Sequence, residues 1–185
     1  MHNDSLLGFA LLGLLHQQPM SGYDLRKMFA STALGSFSDS PGAIYPALKR
    51  LDTRGLVRGT VEESTGLRQK RVFRITPKGL VALKGWLGKP LRRDDVIRGL
   101  DGVMLRFSFM DRTLGEERSA RLLEQLIEQI SAYIPSLQQY LETHAPEMPL
   151  SGRLALECGI YAYEAQLKWA QSSLAQYKQK KGGRK

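Results

Sequence analysis

The chain has 185 residues, 42% of them apolar, and carries 27 Lys/Arg against 18 Asp/Glu for a formal net charge of +9. That apolar share supplies a core and excludes wholesale disorder, while the positive balance points to an anionic partner such as nucleic acid, a membrane surface or an acidic protein. The lone Cys158 excludes an intrachain disulfide and fits a cytoplasmic protein, and His2, His16 and His144 lack the spacing of metal ligands. Set among Leu156, Ile160 and Tyr161, Cys158 is expected to be a buried packing thiol.

The charge is unevenly spread. Residues 1–90 hold 13 Lys/Arg against 6 Asp/Glu, residues 91–150 hold 7 against 10, and residues 151–185 hold 7 against 2. The N-terminal half therefore carries most of the positive field. The apolar run from Leu6 to Leu15 is too short to span a bilayer and is preceded by Asp4 rather than by Lys or Arg. It predicts a buried helix, not a signal or membrane segment.

Asp4 or Ser5 opens that first helix, which ends near Gln17 ahead of Pro19. Ser21-Gly22-Tyr23-Asp24 has capping-box spacing and starts a second helix with Leu25, Met28 and Phe29 inward. After a Ser- and Gly-rich loop, Ser40 and Pro41 supply a cap and a first helical residue, and Gly55 the stop. Ile44, Ala47, Leu48 and Leu51 form one apolar stripe of this third helix. Tyr45 and Lys49, four apart, share another face, with Gly42 leaving room for close approach. A helix with one buried stripe and a small, basic and aromatic outer face suits the major groove.

Residues 56–63 and 70–76 alternate in part and predict a hairpin whose tip carries Arg68, Lys70 and Arg71, placed to meet phosphates or the minor groove. Thr76-Pro77 opens a closing helix to about Leu87. Three helices, a two-stranded wing and a closing helix make a winged helix-turn-helix. Four cations per monomer on phosphates imply, for a dimer, a log-affinity slope against log salt near −7.

Gly88 and Pro90 mark a boundary, and the pattern beyond it is helical. Leu123, Ile127, Ile130 and Ile134 step by threes and fours, as do Leu156, Ile160, Tyr163, Leu167 and Leu174. These seams are expected to meet a second copy in a two-fold dimer, the alternative being an intramolecular helical hairpin. The chain is thus read as mainly α: a winged helix-turn-helix DNA-binding domain over 1–88, a helical dimerisation domain over 91–180, and a disordered basic tail over 181–185. No nucleophile with its base, carboxylate pair, phosphate loop or metal cluster is present in the pattern, so neither catalysis nor a cofactor is expected.

Leu11-Leu12-Gly13-Leu14-Leu15, Ser21-Gly22-Tyr23-Asp24-Leu25, the run from Ser40 to Val57, and Arg71 to Gly79 together resemble the PadR family of bacterial transcriptional regulators. The remainder is similar to its longer subgroup with a C-terminal helical domain, including the virulence-activator type, notably at Leu167-Lys168-Trp169. The resemblance implies a homodimer bound to an inverted-repeat DNA operator, with Tyr23, Ser40, Gly42, Tyr45 and Lys49 at the DNA surface and the wing cations beside them. It implies repression, with activation as the alternative; family members that respond to small aromatic compounds make Trp86, Met104, Tyr161 and Trp169 candidate pocket residues for such an effector, the alternative being that they are core. Away from the family, the same basic faces suit an RNA-binding or protein-interaction module.

Overall fold

The computed structural model describes residues 5–32, 34, 41–62 and 70–182. Its elements in chain order are α1 (Leu6–Gln17), β1 (Met20–Ser21), α2 (Gly22–Ala30), α3 (Pro41–Thr53), β2 (Val57–Glu62), β3 (Lys70–Ile75), α4 (Pro77–Leu87), α5 (Arg93–Leu114), α6 (Glu116–His144), a short 3-10 turn (Ala145–Glu147) and α7 (Leu150–Gly182). The fold is mainly α, with a winged helix-turn-helix followed by long helices. Packing divides the chain into two units. The first runs up to Lys89 and includes Met104–Thr113; the second comprises Pro90–Val103 and the chain from Leu114 onward. Helix α5, interrupted by non-helical backbone at Gly99, contributes to both.

The first unit is built around α1. Its residues 8–15 are all buried, as an all-apolar helix requires. Ser5 caps it by accepting from the Gly8 N–H at 3.3 Å. Phe9 stacks on Trp86 of α4 with ring centroids 4.4 Å apart, and the Phe109 ring of α5 lies where a side chain on Gly13 would sit. Arg106, buried in the same unit, donates to the Leu87 and Lys89 carbonyls and so closes the C-terminal end of α4.

Helix α3 ends as its Gly55 predicts. Gly55 adopts φ +70°, and Leu56 N–H returns to the Leu51 carbonyl at 2.9 Å. Thr76 then joins this turn to α4. Its hydroxyl donates to Gly55 O at 2.7 Å and accepts from Gly79 N–H at 3.0 Å. Strands β2 and β3 pair antiparallel, with Gly59 opposite Phe73. The expected two-stranded wing is, in the structure, part of a three-stranded sheet in the order β1-β3-β2. Because β3 is central and faces α1 and α2, Val72 and Phe73 are both buried and simple alternation is lost.

In the second unit α6 and α7 form an antiparallel hairpin. Tyr133 meets Tyr163 edge to face at 5.1 Å, and Gln138 donates to Glu164 at 3.4 Å. Lys180 and Lys181 pair with Glu116 and Glu117. The seam residues meet within the chain as an intramolecular hairpin: Leu123, Ile130, Ile134, Ile160 and Leu174 are buried, and Ile127, Leu156, Tyr163 and Leu167 are half-buried. Heptad spacing demands a partner helix but does not say whose. Two expectations are corrected. Cys158 is exposed, because two residues along a helix from both Leu156 and Ile160 turns it away from the seam. The helix also continues past 180 to Gly182, its end held by the two lysine–glutamate pairs; 183–185 lie outside the described residues.

If the seam is intrachain, removing its centre destabilises the fold itself. Ile130→Ala, at a fully buried site, is expected to cost about 2–5 kcal/mol in urea unfolding. A cost below about 1 kcal/mol at Ile130 contradicts the packing described.

Candidate nucleic-acid interface

The site begins with two helix starts. Ser21 and Asp24 form a reciprocal capping box: Asp24 N–H donates to Ser21 Oγ at 3.1 Å and Ser21 N–H donates to Asp24 Oδ2 at 3.3 Å. This sets the start of α2 and turns Tyr23 outward, 60% exposed. Arg26 lies over the Tyr23 ring, 5.6 Å from its centroid.

Helix α3 is oriented by its buried stripe, with Ile44, Ala47, Leu48 and Leu51 at 0–2% exposure. The opposite face presents Gly42, Tyr45, Lys49 and Arg50 to solvent. Pro46 is exposed inside the helix, near enough to its start that one lost backbone bond is tolerated. The Tyr45 ring lies against Gly22; a Cβ there would stand 2.5 Å from the ring. A glycine at the start of α2 therefore lets Tyr45 lie across it.

Tyr23, Tyr45, Lys49, Lys70 and Arg71 line one open groove of about 1000 Å³. Of the residues expected at this surface, Gly42 is on the same exposed helix face, while Ser40 and Arg68 lie outside the described residues. Two acids that the sequence reading did not assign to the site also line it, Asp24 and Asp52. Lys70 Nζ pairs with Asp24 Oδ2 at 2.7 Å, and Arg71 Nη2 with Asp52 Oδ2 at 2.7 Å. The Arg71 guanidinium is also 5.3 Å from the Phe73 ring centroid, and its Nε occupies the space a side chain on Gly59 would take. Lys49 makes no ion pair among the described residues. The signal for Asp52 was its place three residues after Lys49, on the same side of α3.

The pairing tunes a carboxyl. The hydrogen bond from Lys70 holds Asp24 below the ordinary aspartate value; partial burial opposes this and the Ser21 bonds reinforce it. The groove can thus offer two tyrosine hydroxyls, one unpaired ammonium and two cations already engaged by carboxylates. Four proposed pocket residues are not gathered in one unit: Trp86 is stacked in the core of the first, which also holds Met104, whereas Tyr161 and Trp169 are exposed on α7 of the second. Among the described residues no cluster suits a metal ion, and no helix is long and apolar enough to cross a membrane.

The Asp24 shift has a definite sign. A carboxyl whose folded pKa is depressed stabilises the fold above the ordinary value of 3.8, and that contribution is lost as pH falls through the folded value. Lys70→Gln is expected to raise the Asp24 pKa toward 3.8, read from its carboxyl carbon by NMR titration. An unmoved titration contradicts the ion pair.

Residues 11–85 match the family model described as the transcriptional regulator PadR-like family. The chain is 30% identical over 149 residues to the negative transcriptional regulator PadR of Bacillus subtilis, covering 79% of each chain. It is 27% identical over 175 residues to a probable transcriptional regulator of Mycobacterium tuberculosis, covering 88% of this chain and 93% of the relative. Among solved structures, Bacillus subtilis PadR in complex with operator DNA is similar at 24% identity and a TM-score of 0.46, over 94% of this chain and 99% of that one.

Proposed function

The chain belongs to the PadR-like family of transcriptional regulators, and from that premise we propose that it is a sequence-specific duplex-DNA-binding repressor acting as a homodimer in the cytoplasm. The observation carrying this reading is the outer face of α3: Tyr45 and Lys49 stand exposed over the groove while the opposite stripe is buried. A major groove admits a helix presented in this way. Lys49 then reaches a guanine edge or a phosphate, Tyr45 a thymine methyl or a phosphate oxygen, and Tyr23 the neighbouring backbone. Repression is supported by the relative described as a negative regulator. The first unit serves as the DNA-binding domain and the second carries the dimer contact.

For that contact we assign a different face from the α6–α7 seam. Leu150, Leu154, Cys158, Tyr161 and Trp169 follow one another along α7 at helical spacing and are all exposed. An apolar stripe of this length on a 33-residue helix fits a second copy of the same helix. A two-fold axis then supplies two copies of α3 for two half-sites.

Selection of duplexes from a random library at about 150 mM salt is expected to enrich an inverted repeat with half-sites one or two helical turns apart. Binding to every duplex alike would overturn the reading. On the selected operator, Lys49→Ala is expected to cost about 1–3 kcal/mol if Lys49 reads a base; an equal loss on all sequences reassigns it to phosphate positioning. Tyr161→Glu is expected to shift the sedimenting species from dimer to monomer with helix content unchanged. A dimer that survives this charge shows that another face makes it.

A further inference from the structure

The two acids in the groove have no place in a simple phosphate-binding surface. Affinity for a polyanion grows with the number of cations free to neutralise phosphates, and here two of the candidate cations are already matched. Lys70 meets Asp24 of α2 and Arg71 meets Asp52 of α3, each at 2.7 Å, from adjacent residues of β3. Arg71 is further restrained by Phe73 on one side and by the bare backbone of Gly59 on another. The Asp52 backbone carbonyl accepts from Gly55 N–H at the end of α3, while its side-chain carboxylate accepts from Arg71.

We propose that Asp52 and Asp24 are specificity-determining residues: internal counter-ions that discount Lys70 and Arg71 on arbitrary DNA while holding them in position for the operator. The inference rests on the groove being a duplex-binding face. Non-specific affinity comes from counter-ion release, at about 0.9 of a log unit in slope per phosphate neutralised. A cation that leaves a carboxylate to meet a phosphate obliges that carboxylate to recruit a salt cation, so the exchange releases no net ion. Lys70 and Arg71 therefore add little to binding at random sites, and the salt slope falls short of the value near −7 reached by counting cations. At an operator, contacts from α3 fix the register. Arg71 there retains N–H donors beyond the one given to Asp52 and is presented with few rotamers left to freeze. The acids thus weaken the electrostatic background more than the specific complex.

The test compares the full-length chain with Asp52→Asn and Asp24→Asn, singly and together. Asparagine keeps an acceptor for the Ser21 cap while removing the charge, and Asp52→Asn leaves that cap untouched. On random duplex, the salt slope of the double variant is expected to steepen by about 1.8 per protomer, with the ratio of operator to random affinity falling several-fold. Adding Lys70→Gln and Arg71→Gln is expected to abolish the change, which a merely structural role of the acids would not require. Retention on heparin reads the same release of cations without DNA and is expected to rise in the asparagine variants. Equal gains on operator and random DNA, or unchanged slope and unchanged heparin retention, overturn the proposal. Failure of the unaltered chain to bind any duplex, with heparin retention still rising in the variants, overturns the duplex reading and leaves the counter-ions in place.

Discussion

The face that α3 shows to solvent depends on the face it buries. Ile44, Ala47, Leu48 and Leu51 lock one side of the helix against α1, α2 and β2. Rotating the helix by one residue, about 100°, would draw all four from the core, at roughly 1.5–3 kcal/mol for each large side chain exposed. Hydrophobic burial is non-directional, yet a stripe of this width sets the azimuth of everything else on the helix. Tyr45 and Lys49 are therefore outward-facing as a consequence of packing. The same constraint reaches α2, since the Tyr45 ring lies over Gly22, and the Ser21–Asp24 box determines where α2 begins.

Elements governed by local rules were readable in the sequence. The capping box, the Gly55 stop and the Thr76-Pro77 start each express chemistry within a few residues, and each is found in the structure. Long-range pairing was not readable in the same way. Met20 and Ser21 form only a two-residue strand, whose existence depends on β3 offering a free edge at Val72 and Phe73. No propensity within Pro19-Met20-Ser21 announces this, and it explains why two consecutive β3 residues are buried. Cys158 illustrates the opposite error: apolar neighbours in sequence suggested burial, but on a helix the neighbours that matter are three and four away.

The helices of the second unit mark the boundary between pattern and topology. Stepping by threes and fours in α6 and again in α7 establishes that each helix packs along its length. Whether the partner is the same chain turns on the Pro-containing connection of residues 145–149, which is short enough to bring the two helices back antiparallel. Once the chain has satisfied its own seams, the proposed contact with another copy falls to the residues left out of them. That set reads as noise in a heptad analysis and becomes a stripe only after the seam is subtracted: Leu150, Leu154 and Tyr161 are all exposed on α7.

Electrostatics follow the same logic of subtraction. A formal charge of +9 describes the field far from the protein, which steers encounter with a polyanion. It does not describe the groove, where Lys49, Lys70 and Arg71 face Asp24 and Asp52 and the lining carries one net positive charge. Exposed ion pairs of this kind contribute little to folding stability; Asp24 has a structural role in the α2 capping box, whereas the Asp52 carboxylate is engaged with Arg71. Their consequence lies in binding. On the proposed reading, a contact between a wing cation and phosphate becomes an exchange of partners, and its yield depends on what α3 gains at the same moment. The groove is thereby less a positive patch than a balanced one, and on the proposed reading its affinity is drawn from the exposed face of α3.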